Sequence, residues 1–194
     1  MSMLNKSDFS QMKKEIEKYD SLREEIIKKS RDVLKNSKPV IYSLQRDEIT
    51  DAKKNMTALE KSLKTVRTII KKDKTLVKEG TFRIAEQEYV EAICFYKFIN
   101  NEKIPTHSAL GVSSENYLLG MCDLTGELAR KAVIYATYSD FDYVDEVREL
   151  VDEIYGEIIK LNPRGTSELR KKSDAIKWNL KKIEELMYDV SKTG

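Results

Sequence analysis

Apolar residues recur along this chain at intervals of three and four, the spacing that gathers them on one face of an α-helix. In the first segment, roughly Lys6 to Ser37, that face is drawn by Ile16, Tyr19, Leu22, Ile26, Ile27, Val33 and Leu34. Pro39 should interrupt it, because proline lacks an amide donor and turns the residue before it, Lys38, away from helix. A second helical region is expected from about Val40 to Val77, with a candidate break near Arg46-Asp47, and Gly80 separates it from a third, about Thr81 to Ile99. The stretch from Asn100 to Ser113, with Pro105 and Gly111, reads as loop. Ser113 or Ser114 can cap a fourth helix reaching about Tyr138, and a fifth runs from about Phe141 to Lys160. After the break at Asn162-Pro-Arg-Gly165, Thr166 or Ser167 can cap a last helix that reaches Val190.

The pattern predicts an all-α fold: one domain over residues 1–194, a bundle of about six to seven long helices. Only seven Gly and three Pro among 194 residues, with 35% charged, agree with long helices whose outer faces are solvated. No apolar run is long enough to span a membrane, and Met1-Ser-Met-Leu-Asn-Lys6 lacks the apolar core of a signal peptide. The expected location is therefore cytoplasmic. Cys94 and Cys122 fall inside helical segments as small buried hydrophobes, which argues against a disulfide framework or a zinc cluster.

Charge is segregated behind a net value of +2. Lys61 to Arg83 holds eight basic residues against Asp73 and Glu79, whereas Asp140 to Glu157 holds eight acids against Arg148 alone. Such asymmetry suggests a surface for a polyanion or complementary contacts between subunits. Lys61, Lys64, Arg67, Lys71, Lys74 and Lys78 recur at helical spacing, and on one unbroken helix they would form a basic stripe roughly 26 Å long. The stripe could follow the phosphates of a single strand, or simply be a solvated outer face.

Four acids stand out because of where they fall. Ile84, Glu88, Glu91, Phe95 and Phe98 lie along one line of the third helix, so two carboxylates interrupt an apolar stripe. In the fourth, Tyr117, Met121, Leu124 and Leu128 mark a core face, with Asp123 and Glu127 on its flank. Two carboxylates held about 5 to 6 Å apart repel by about 3 kcal/mol at an effective dielectric near 20, a strain that a divalent cation or a proton relieves. Gly120 and Gly126 each cost about 1 kcal/mol in a helix relative to Ala, so a close approach should compensate. Oxygen-only ligands suit Mg²⁺ or Mn²⁺ better than Zn²⁺, and His107, the single histidine, cannot furnish the paired Glu-x-x-His ligands of a di-iron bundle. The chemistry such a group supports is metal-assisted hydrolysis of a phosphodiester. The plainer reading is that these acids are solvated or paired on a charged helix.

Gln87-Glu-Tyr-Val-Glu-Ala92, Tyr117-Leu-Leu-Gly120 and Asp123-Leu-Thr-Gly-Glu-Leu128 closely resemble the core motifs of the translin superfamily, in its translin-associated factor X branch. Lys29-Ser-Arg-Asp-Val33, Ile41-Tyr-Ser-Leu-Gln-Arg46 and the ending Leu180 to Val190 are similar to the outer helices of the same superfamily. The resemblance implies about seven helices, assembly into hollow, roughly octameric homo-oligomeric shells, and binding of single-stranded RNA or single-stranded DNA. It further implies that Glu88, Glu91 and Asp123 serve a Mg²⁺- or Mn²⁺-dependent endoribonuclease, with Glu127 a neighbouring acid of the site. A short third-to-fourth-helix loop and an end at Gly194 suit a prokaryotic, archaeal type of member that assembles with itself. The competing expectation is a non-catalytic nucleic-acid-binding protein of the translin type, and a third is a purely structural helical partner.

Arg83 and Arg130 are candidate nucleic-acid contacts, since helical spacing sets them within about two turns of the acidic pairs. Tyr89, Tyr96 and Tyr117 could stack on bases but fit the core better. His107 is expected at a helix start on the surface, and Trp178 as a packing or subunit-interface anchor.

Overall fold

The first helix does not stop at Pro39. In the computed structural model, which describes residues 3–164 and 167–193 and side chains as far as Tyr188, α1 (Lys6–Gln45) runs through the proline for 40 residues. Val33, Val40 and Leu44 are fully buried on either side of it. Burying three such side chains at about 1.5–3 kcal/mol each offsets a helical proline's cost of about 3 kcal/mol. The break comes instead at Arg46–Glu48, where Asp47 takes a left-handed conformation (φ 59°). The fully buried Lys131 closes that end: its ammonium donates to the carbonyls of Leu44 (2.9 Å) and Gln45 (3.1 Å) and to Asp47 Oδ1 (2.7 Å).

The second region is also divided differently from the sequence expectation. α2 (Ile49–Ile70) ends in a turn, and a short 3₁₀ segment (Lys74–Lys78) follows. Asp73 accepts from the backbone N–H of Thr75 at 2.9 Å and from its hydroxyl at 2.6 Å, a local bond that competes with continuing the helix. Lys61, Lys64 and Arg67 therefore belong to one helix, while Lys74 and Lys78 lie beyond the turn, and the basic stripe is not one straight line.

The remaining helices are α3 (Gly80–Ile99), a short α4 (His107–Leu110), α5 (Ser114–Thr137), α6 (Phe141–Lys160) and α7 (Glu168–Thr193). Ser113, not Ser114, caps α5 by accepting from the Asn116 N–H (3.1 Å), and Ser167 accepts from the Arg170 N–H (3.2 Å) at the start of α7. Thr166, the other candidate cap, lies outside the described residues. Among the described residues there is no strand, and no helix is long and apolar enough to cross a membrane.

α1 packs along α2 and α3, α3 against α5, and α5 against α6 and α7. This order puts α3 and α5, the two acid-bearing helices, side by side. They come close at Gly120, where an added Cβ would lie 2.6 Å from the Gln87 carbonyl oxygen and 2.8 Å from Val90 Cβ. Gly126 shows no such constraint, since its nearest neighbour would be Asn179 Nδ2 at 3.8 Å. Within the chain, a close helix approach of the kind expected at both glycines is met at Gly120 alone.

Gly120→Ala should lower stability by about 1–3 kcal/mol despite alanine's better helix propensity, because backbone has to move. Gly126→Ala should be neutral or stabilising by up to about 1 kcal/mol. Chemical denaturation of the two variants beside the parent checks the contrast.

Candidate metal and nucleic-acid site

Glu88 and Glu91 project from α3 and Asp123 and Glu127 from α5, and all four are partly buried where the two helices adjoin. Three of them are tied by side chains from two other helices, α1 and α7. The Ser37 hydroxyl on α1 donates to Glu88 Oε2 (2.8 Å). Gln45, also on α1, donates from Nε2 to Glu127 Oε2 (2.7 Å) and to the Glu127 carbonyl (2.8 Å). Lys172 reaches in from α7 and donates to Asp123 Oδ2 (2.6 Å) and Gln87 Oε1 (3.2 Å).

Glu91 has no hydrogen bond or ion pair among the described residues. Burial pushes its carboxyl up to about 8, the carboxylates of Glu88, Asp123 and Glu127 push the same way, and Lys172 opposes them. The four acids thus share one electrostatic neighbourhood, with Glu91 as the member that feels the other three. Burial also raises Asp123, against the pull of its bond to Lys172.

A cleft of about 370 Å³ opens onto Glu88, Glu91 and Glu127, walled by Ile41 and Tyr42, with Lys38 and Arg130 beside them. Arg130 is exposed and stands 3.7 Å from Glu127 Oε2. Among the described residues, no three His, Cys, Asp or Glu side chains are drawn tightly enough together to form a metal-binding group. The tethers explain this spread: Ser37, Gln45 and Lys172 hold three mutually repelling acids along separate directions. The donor set still fits a hard cation, since it is all oxygen, is partly desolvated and contains one acid without a partner. Gln45 Oε1, a buried oxygen with no donor, adds a further unused acceptor on a residue that touches Glu127.

The apolar line expected through Ile84, Glu88, Glu91, Phe95 and Phe98 is not continuous. Phe95 is fully buried, but Ile84 is 47% exposed, so the acids lie where the stripe leaves the core. Of the basic residues expected from the sequence to contact nucleic acid, Arg130 alone lines the acidic cleft, where it is joined by Lys38. Lys61, Lys64 and Lys71 are exposed on the α2 side. Arg67 turns inward to Glu86 Oε1 (3.3 Å) and to the carbonyls of Leu110 (2.9 Å) and Gly111 (3.1 Å), which makes it a tie between α2 and the loop before α5. Arg83 pairs with Glu115 at 2.9 Å and lines a separate recess with Arg67 and Lys78.

Tyr89 is buried and the Tyr117 hydroxyl donates to the Pro105 carbonyl (2.9 Å), in keeping with core roles. His107 opens α4 on the surface, as expected. Trp178 is 67% exposed, which removes the packing role within the subunit. Both thiols are buried and pushed up to about 12 by burial, so neither is a reactive nucleophile.

Sequence reasoning missed Ser37, Gln45, Lys172 and Lys131. A signal existed for the first: Ile26, Ser30, Val33, Ser37, Val40 and Leu44 form one buried stripe, in which two serines occupy core positions. No comparable signal marks Lys172, one of several lysines in a charged helix.

A model of the Translin family matches residues 21–192. Translin of Gallus gallus is 32% identical over 58% of this chain and 55% of its own length. Translin-associated protein X of Pongo abelii is 24% identical over 96% of this chain and 78% of its own. The chain thus spans little more than half of the chicken protein it matches. The solved structure of apo-NeC3PO superposes with a TM-score of 0.85 at 28% identity, covering 97% of this chain and 98% of that one. A complex of AfC3PO with duplex RNA superposes at 0.75 with 24% identity, over 96% and 97% of the two chains.

Glu91 gives the site a pH signature. An ordinary glutamate releases its proton near 4.5 and folded Glu91 near 8, so folding favours the protonated form and stability falls as pH rises between those values. In chelator, thermal unfolding should show a loss of at least about 1.4 kcal/mol from pH 5 to pH 9, the worth of one pKa unit. Glu91→Gln should flatten that dependence.

Proposed function

The chain belongs to the Translin family, and from that membership we propose a metal-dependent endoribonuclease that binds and cleaves single-stranded RNA inside a homo-oligomeric helical shell. The observation that carries the reading is Glu91, a partly buried acid with no hydrogen bond or ion pair among the described residues, which lines one cleft with Glu88 and Glu127. A cluster of this kind is costly to maintain in a soluble bundle unless a cation uses it. Glu88, Glu91 and Asp123 would hold Mg²⁺ or Mn²⁺, and Glu127 would ligate it or orient the attacking water. When bound, the cation supplies a Lewis acid that stabilises charge developing on the phosphodiester.

The chain's own residues prepare the rest. Ser37 and Gln45 fix the carboxylates of Glu88 and Glu127 from the α1 side, which limits the rotamers that must be ordered when substrate arrives. Lys38 and Arg130 border the same cleft and can take the phosphates on either side of the scissile bond. Lys61, Lys64 and Lys71 extend the basic surface and would follow the strand, with Arg83 in its own recess as a further contact. Arg67 contributes by holding the loop that leads into α5. The duplex RNA in the AfC3PO complex supports RNA as the polyanion. Single-stranded DNA is the alternative ligand, and the exposed Trp178 suits a contact between subunits of a shell, octameric or otherwise.

One set of observations favours a second reading, a nucleic-acid-binding protein of the translin type that does not cleave. Glu88, Glu127 and Asp123 each have a partner within the chain, as structural acids do. Glu91→Gln separates the two. It removes a carboxyl whose ionised form is unfavourable here, so above about pH 8 the metal-free variant should be at least as stable as the parent. If the endoribonuclease reading holds, cleavage of labelled single-stranded RNA in Mg²⁺ or Mn²⁺ should drop at least about 100-fold while the shifted RNA complex persists. Binding without fragments in the parent, with or without metal, would establish the second reading.

A further inference from the structure

The acidic site already contains a cation, and it comes from α7. Among the described residues of that helix, only Lys172 bonds to an acid of the cluster, and its ammonium reaches Asp123 Oδ2 at 2.6 Å while also touching Gln87 Oε1 on α3. Both members of the pair are half-buried, with 26% of the Lys172 side chain and 33% of Asp123 exposed, so the attraction is less screened than on an open surface. Its field is also the one that opposes the three carboxylates acting on Glu91. Asp123, bonded to Lys172, is not among the residues lining the cleft of Glu88, Glu91 and Glu127, and the four acids do not close on one point.

We propose that Lys172 is the built-in counter-ion of this site, a positioning residue that keeps the acids assembled in the metal-free protein and that a divalent cation must displace from Asp123. The inference rests on the metal-site reading given above. It makes metal uptake a competition: the divalent ion gains Asp123 only by breaking a charge-assisted hydrogen bond. The site is therefore tuned toward weaker binding than four carboxylates alone would give. Arg130, exposed and 3.7 Å from Glu127, has no such hold, since the distance is too long for a hydrogen bond.

Mn²⁺ titration by calorimetry, without RNA, tests this on the parent, Lys172→Gln and Lys172→Arg, each checked for helix content by circular dichroism. Glutamine keeps a donor for Asp123 and removes the charge, while arginine keeps the charge. Lys172→Gln should bind Mn²⁺ about tenfold more tightly than the parent, and its thermal midpoint in chelator should fall by several degrees and recover in saturating Mn²⁺. Lys172→Arg should bind Mn²⁺ within about threefold of the parent. A folded Lys172→Gln whose Mn²⁺ affinity is unchanged or weaker, beside a parent that binds Mn²⁺, would overturn the counter-ion role and leave the metal-site reading standing. Outright unfolding of Lys172→Gln that Mn²⁺ does not reverse would also overturn it, because the ion pair would then be part of the scaffold. A parent that takes up no Mn²⁺ would overturn both.

Discussion

The contact between Gly120 and the backbone of Gln87 sets how near α3 and α5 can come, and so how near two pairs of carboxylates are held. With any larger residue at 120 the helices would stand further apart, and the acids would recede into solvent, where water screens them. At the observed spacing, burial and mutual repulsion act together on Glu91. The bundle does not dissipate this strain. It restrains three of the acids one at a time, from α1 and α7, and leaves the fourth without a partner.

The restraints link distant parts of the chain. Lys131 closes the C-terminal end of α1 and so fixes Gln45, which in turn holds Glu127 one turn before Lys131 on the same helix. α1 and α5 thus stabilise each other through a loop of polar contacts at the edge of the core. These polar contacts favour one arrangement of the helices over its neighbours, since a shifted register would leave further buried donors and carbonyls unmet.

Much of the architecture was legible in the chain. The helical periodicity and the caps at Ser113 and Ser167 follow from local rules that tertiary packing had no reason to override, although the stretch expected to be loop before α5 holds the short α4. Pro39 shows where those rules stop, because the burial of Val33, Val40 and Leu44 carries the helix across a residue that would end an isolated one. The basic stripe failed for a local reason, the Asp73–Thr75 bond, which ranks with the turn signals but was outweighed by the regular spacing of the lysines. The four acids were legible as helical pairs. Their partners were not, because Ser37, Gln45 and Lys172 lie 51, 82 and 49 residues from the acids they touch, and nothing local requires such contacts.

The central claim is that acids from α3 and α5 form one binding site for a hard divalent cation. Crystals grown with Mn²⁺ and measured for anomalous scattering test it most directly. An anomalous peak should lie among carboxylate oxygens of both helices, Glu91 among them, with Lys172 moved off Asp123. Ordered Mn²⁺ elsewhere in the crystal and none between these helices would contradict it.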